Sequence, residues 1–263
     1  MKKKRSKYEI TTGIQTALER GGHFNVAYMP QSDYIMPTED YPFRPHGWGK
    51  FATAFWRTLM QVIGTPIMKL VYGAKVVGKE NLRALGKQGA ICICNHFNYL
   101  DTLFVRQAVG HYRSYHTMAP CNNKRGIGGH IIRQGGMLPF SADLNAMRKL
   151  MKEMDALLKE GKIINFYAEQ AMWYNYQKPR PMKEGAFHYA VKFSVPVLPL
   201  FCTFQKSKKG RIHRLRIHIM PAIYPDAALP RSARTEKMME EAQLSWKNCY
   251  EQAYGIPLEY ETK

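Results

Sequence analysis

Residues 89–110 read GAICICNHFNYLDTLFVRQAVG. The first six are apolar, partly β-branched and open with a helix-breaking glycine, which is the pattern of a short buried strand. TLFVRQAVG reads as a helix. Between them stands NHFNYLD, so His96 is expected at the carboxyl end of a strand, where α/β sheets place their ligand sites. Five residues on one helix rotate a side chain by about 500°, a net ~140°, so His96 and Asp101 cannot share a helical face. They can meet only if His96 precedes the helix and Asp101 lies in its early turns. An aspartate bonded to one ring nitrogen fixes the tautomer and stabilises the imidazolium, leaving the other nitrogen to accept a proton from a hydroxyl. A capping or structural pair fits the same spacing, and the spacing alone leaves both readings open. Asn95 reads as a turn-former holding the loop.

Working outward, short apolar runs alternate with helical patterns from Lys75 onward. KVVG, GAICIC, SYHTMA, GMLPF, KIINFY, VPVLPLF and RLRIHIM are the expected strands. The clearest helix is 143–160, with Leu144, Met147, Leu150, Met151, Met154, Leu157 and Leu158 at three-four spacing and Asp143 or Ser141 placed to cap it. A second runs from about 233 to 253, with Ala242, Trp246, Cys249 and Tyr250 on one side. This alternation predicts an α/β domain.

Upstream, residues 1–50 are rich in Pro, Gly and aromatics and read as an N-terminal arm that wraps the domain or meets a partner; 51–263 is the domain proper. The segment 51–75, FATAFWRTLMQVIGTPIMKLVYGAK, is interrupted by Arg57, Pro66 and Lys69. A membrane span needs roughly 20 apolar residues, and the longest uncharged stretch here is 58–68. An amphipathic helix over about 51–72 is expected instead, lying in a membrane interface with Trp56 and Tyr72 near the headgroups, or packed on the domain's own core.

Lys and Arg number 39 against 20 Asp and Glu, a net charge of +19. Residues 102–142 and 185–225 contain no carboxylate at all. Such a field favours anionic partners: a membrane surface, phosphorylated substrates, acidic carrier proteins or nucleic acid. No helix-turn-helix, zinc-finger or RNA-binding signature accompanies the charge, so nucleic acid is not the expected partner. Five scattered cysteines suggest no disulfide framework, and no CxxC or zinc spacing occurs. The basic start, MKKKRSKYEI, is followed by no apolar signal core, which points to a reduced, cytoplasmic setting.

The order of the segments resembles the glycerolipid acyltransferase family, which includes the lysophosphatidate acyltransferases. NHFNYLD has that family's NHxxxxD form. VVGKENL (76–82) resembles the strand and turn before it, IINFYAEQ (163–170) a diverged third block of the form FPEGTR, and KEGAFHYAVKFSVPVLPL (183–200) the fourth region. The resemblance covers roughly 74–220. It implies a mixed, largely parallel sheet flanked by helices, with an acyl group moved from acyl-CoA or acyl carrier protein to a lipid hydroxyl. His96 would be the general base, Asp101 its orienting partner, and neighbouring backbone donors the oxyanion's stabilisers. No metal and no cofactor is implied beyond the thioester co-substrate.

The departures also carry information. Phe166 and Glu169 match the third block, but Ala168 replaces its proline and residues 170–172 replace GTR. In the second block, GGMLPFSAD (135–143), Ser141 stands where an arginine is usual. Those basic residues are associated in the family with the acceptor's phosphate. Either Arg133, Lys124, Lys178, Arg180 or Lys183 substitutes, or the acceptor is a glycolipid or a lysophospholipid without a phosphomonoester. The aromatic insertion MWYNYQKPRP (172–181) favours the second, because Trp173, Tyr174 and Tyr176 could stack on a sugar or line an acyl groove. Glu169, Lys183, Arg133, Lys124 and Trp173 are therefore the expected substrate-binding residues. The protein is expected as a peripheral enzyme of the cytoplasmic membrane face. The competing reading is a non-catalytic membrane- or lipid-binding protein on a diverged acyltransferase scaffold.

Overall fold

The computed structural model describes residues 34–45 and 48–260. The first helix among the described residues, α1 (Gly49–Tyr72), leads into β1 (Lys75–Val77), α2 (Lys79–Leu85), β2 (Ala90–Ile93), α3 (Asp101–Val109), β3 (Ser114–Met118), α4 (Gly126–Gln134) and β4 (Met137–Pro139). There follow α5 (Leu144–Lys159), β5 (Ile163–Phe166), α6 (Gly185–Phe193), β6 (Val197–Lys206), β7 (Ile212–Ile219) and α7 (Arg231–Tyr254). Seven strands form one sheet in the order β1-β7-β6-β2-β5-β3-β4. All neighbours are parallel except the β6–β7 hairpin. Each expected strand is present, and the sheet is the mixed, largely parallel one that the resemblance implied.

The period-2 alternation of the strands divides the core into two faces. Ile91, Ile93, Ile164 and Phe166 point to one, where they pack with Leu150, Met154 and Leu157 of α5, Phe187 of α6 and Trp246 of α7. Ala90, Cys92, Cys94 and Ile163 point to the other, against Met68 of α1, Leu85 of α2 and Phe104, Val105 and Val109 of α3. Asp143 caps α5 as expected, its Oδ1 accepting from Ala146 N at 2.7 Å. Leu144 departs from the expected core stripe. It is the first residue of α5 and extends beyond the sheet into solvent.

Of the arm, residues 1–33 lie outside the described residues. From Tyr34 onward it lies against the domain: Tyr34 bridges Lys124, Ile35 N donates to Asn123 O, and Tyr41 and Phe43 are buried in the core. Helix α1 has an inverted pattern. Its buried residues are Arg57, Gly64 and Met68, while Phe51, Phe55, Val62, Ile63, Leu70 and Val71 are exposed. Tyr72 is half-buried, its ring packed edge-on against Phe104 at 5.4 Å. Among the described residues no helix is long and apolar enough to cross a membrane.

Candidate active site

Strand β2 ends at Ile93, and the chain then turns through residues 94–100 into α3, whose first residue is Asp101. His96 precedes the helix and Asp101 opens it, the only arrangement that lets a five-residue spacing close. His96 Nδ1 lies 2.6 Å from Asp101 Oδ2. The same oxygen accepts from Phe97 N at 2.9 Å and Asn98 N at 3.0 Å, so Asp101 holds both the ring and the loop that leads into the helix. Asp101 is buried, and burial raises its pKa against the opposing pull of His96 and the two amides. The imidazole is a quarter exposed. With Nδ1 held by the carboxylate, Nε2 is the nitrogen left to meet a substrate.

Asn95 does more than shape a turn. Its Nδ2 donates to Cys202 O at 3.1 Å and its Oδ1 accepts from Cys202 N at 2.8 Å, which fixes the loop to β6 as an extra ladder rung. One aromatic contact positions the ring: Tyr167, the first residue after β5, stacks on the imidazole with centroids 3.9 Å apart. Phe166, matched in the sequence to the third block's phenylalanine, points to the opposite face toward Tyr189. Tyr167 is the residue on the side of His96. A one-residue step along a strand reverses the face.

Glu169, in the turn three residues beyond β5, accepts from His96 N at 3.1 Å and pairs with Arg180 Nη2 at 2.8 Å; Arg180 N donates to its other oxygen at 3.0 Å. Arg180 also donates to Ala171 O and lies 4.7 Å over the Trp173 ring. Trp173 N donates to His96 O at 3.0 Å, and Asn175 N to Phe97 O at 2.8 Å. The 172–181 insertion is thus bound to the histidine loop by its own backbone. Trp173 meets Tyr176 edge-on at 4.9 Å, and Tyr174 lies 5.6 Å from Tyr99. Together these rings form an aromatic shelf beside His96.

The expected residues separate accordingly. His96, Asp101, Glu169 and Trp173 come together, with Arg180. Lys183 is exposed, and its amide bonds Ala168 O at 2.8 Å, which places it one residue from Glu169. Lys178 reaches Glu259 O at 3.3 Å. Arg133 belongs to another set of contacts: it donates to Asn123 Oδ1 and Lys124 O, beside the bridge from Lys124 to Tyr34. Ser141 donates to Pro37 O at 2.6 Å and so secures the arm. A cation is back beside the third block, as Arg180, but Glu169 neutralises it. Gln170, in the place of that block's glycine, is held at φ 62°, a left-handed conformation that glycine adopts at little cost.

The amides of His96, Phe97 and Asn98 are all committed, to Glu169 and Asp101, so the donors nearest the ring are not those available to an oxyanion. Trp173 Nε1 and Arg180 Nε are buried without partners. Among the described residues no group of three His, Cys, Asp or Glu is arranged to hold a metal.

The sequence reasoning missed two features: Tyr167, and a pair of buried arginines behind the site, Arg57 and Arg106, each 3% exposed. The signal for the second was an arginine flanked by apolar residues within TLFVRQAV.

Comparisons with known proteins bear on the family and the fold. The sequence matches the Acyltransferase family over residues 73–203, about half of the chain and the part that contains the whole constellation. A comparison with curated proteins finds no match. Among solved structures, the 1-acyl-sn-glycerophosphate acyltransferase of Thermotoga maritima superposes with a TM-score of 0.61 at 15% identity, covering 80% of this chain and 84% of that one. By that match, on a sheet of the same fold, the chain belongs to the acyltransferase family.

Proposed function

We propose that this acyltransferase acts through His96 and Asp101 on a lipid acceptor that carries no phosphomonoester at the reacting end. The observation that carries the reading is the 2.6 Å contact between His96 Nδ1 and Asp101 Oδ2, with the far nitrogen left open. In the reaction His96 Nε2 takes the proton of the lipid hydroxyl as that oxygen attacks the thioester carbonyl. Asp101 holds the tautomer and stabilises the imidazolium formed. The tetrahedral intermediate collapses with cleavage of the C–S bond, and the imidazolium returns its proton to the departing thiolate. General base catalysis of this kind contributes about 10²–10⁴-fold.

The acceptor reading rests on charge. A phosphomonoester carries nearly two negative charges and needs uncommitted cations beside it. Arg180 is the cation beside His96, and its charge is balanced by Glu169. The aromatic shelf of Trp173, Tyr174, Tyr176 and Tyr99 suits a sugar or a diester headgroup better. Acyl-CoA or acyl carrier protein is the donor.

We place the reaction at a membrane surface. The apolar side of α1 is turned to solvent, and its C-terminal end is tied to the basic β6–β7 hairpin by Arg216 Nη1 donating to Gly73 O at 3.1 Å. That hairpin carries Lys206, Lys208, Lys209, Arg211 and Arg214. Exposed apolar side chains bordered by cations are what an anionic bilayer binds.

The test is transfer of labelled acyl groups from both thioesters into glycolipid, lysophospholipid and lysophosphatidate acceptors in vesicles, with parent and His96→Ala protein side by side. A glycolipid or diester product, lost by about 10²-fold or more in the variant, is the expected result. A lysophosphatidate-derived product contradicts the acceptor reading. No transfer from folded, vesicle-bound protein favours the binding-protein reading.

A further inference from the structure

Helices α1 and α3 run side by side over the sheet, and a cleft of about 500 Å³ opens between them and the start of α2. Its lining includes Lys69, Lys75, Lys79, Arg106 and His111, and no carboxylate. The lysines are exposed at the rim. Arg106 is buried at the base, and its Nη1 has no hydrogen-bond partner; neither does Gln107 Oε1 beside it. Behind Arg106 stands a second buried guanidinium, Arg57, whose Nε and Nη2 are also unpartnered. Neither arginine forms an ion pair with any described residue.

The surroundings add no negative charge. Arg57 lies over the Tyr115 ring at 4.3 Å and reaches Tyr112 O at 3.4 Å. Space for it is provided by Gly136: a Cβ there would lie 1.9 Å from Arg57 Nη2, and the backbone is at φ 78°. His111 donates through Nε2 to Arg57 O at 2.6 Å. Burial and the two arginines push the His111 pKa down to about 4, so it is neutral. Burial and Arg57 likewise push Arg106 down to about 9, which still leaves it charged at neutral pH. Two charged, buried guanidiniums facing neutral groups are costly to keep, and the cost falls when an anion arrives.

We propose that the α1–α3 cleft is a binding site for a phosphate-bearing anion, with the Arg106 guanidinium at its base and Lys69, Lys75 and Lys79 at its rim. Planar guanidinium donors in a dry site match phosphate oxygens, and the rim lysines attract the ligand from solution. The cleft is a different opening from the acyl-transfer centre, because its lining includes none of His96, Asp101, Glu169 or Trp173. Two sources offer the same chemistry: the headgroup of a membrane phospholipid, which the exposed apolar side of α1 would bring close, or free phosphate.

Thermal unfolding of the full chain decides the matter. The probes are inorganic phosphate, and phosphatidylcholine vesicles with and without phosphatidic acid, each against chloride at equal ionic strength. The parent and His96→Ala proteins are expected to be stabilised equally. In Arg106→Gln and in the triple variant Lys69→Gln, Lys75→Gln, Lys79→Gln, apparent affinity should fall at least about tenfold. Stabilisation of this kind by either probe supports the site; the phosphatidic acid vesicles would identify a headgroup as the source, the inorganic ion a free phosphate. Equal response of parent and variants, or no response to either probe, overturns it. If Arg106→Gln does not fold, the rim variant, whose side chains are exposed, decides alone. Because His96→Ala is included, loss of transfer and loss of phosphate binding are read separately.

Discussion

The two ends of α3 manage charge in opposite ways. At the N-terminal end every ionised group has its counterpart: Asp101 faces His96, and Glu169 faces Arg180. Toward the C-terminal end Arg106 and Arg57 are equally buried, and among the described residues nothing negative answers them. Paired charges fix geometry, as the His96 ring requires. Unpaired buried charges stabilise nothing by themselves, and they mark a place that a ligand completes.

The sharpest way to break this contrast is to remove a charge at each end. Glu169→Ala leaves Arg180 buried without its partner and releases the amide of His96. Breaking a buried pair in this way costs about 3–5 kcal/mol, read by urea unfolding of parent and variant. A loss below about 1 kcal/mol, the level of exposed pairs, would show that the pair is ornamental. At the other end, Arg106→Met replaces an unanswered cation by an apolar side chain of comparable length. Stability of the anion-free protein should rise, by about 1–4 kcal/mol, while the response to phosphate is lost. A destabilised variant would mean that Arg106 is already satisfied, and the contrast would fail.

Much of the fold was legible because the strands are short, apolar and separated by helical patterns. The meeting of His96 with Asp101 followed from helix geometry, which allowed a single solution. Two features were not legible, for different reasons. The first is parity. Phe166 and Tyr167 are adjacent aromatics, and only the register of β5 against β2 decides which one faces the histidine. The second is burial of charge. In the sequence Arg106 counts as one more cation of a carboxylate-free stretch and Arg57 as an interruption of an apolar segment, and the face that α1 buries stays open. In the structure Arg57 is inside and Phe51 and Phe55 are outside. Long-range packing of α1 on α3 decides that choice, and no local pattern encodes it.

The most direct test of the account is the pH–rate profile of acyl transfer for parent and Asp101→Asn. In the parent, burial raises the Asp101 pKa, so the carboxylate takes up its proton, and stops stabilising the imidazolium, at a higher pH than an unperturbed aspartate would as the solution is acidified. The variant has no such step and no anion to stabilise the imidazolium at any pH. The account predicts a rate lower by about 10²-fold or more and a profile of changed shape. An unchanged rate with an identical profile would make Asp101 a residue that only holds its loop, and the proposed mechanism would not stand.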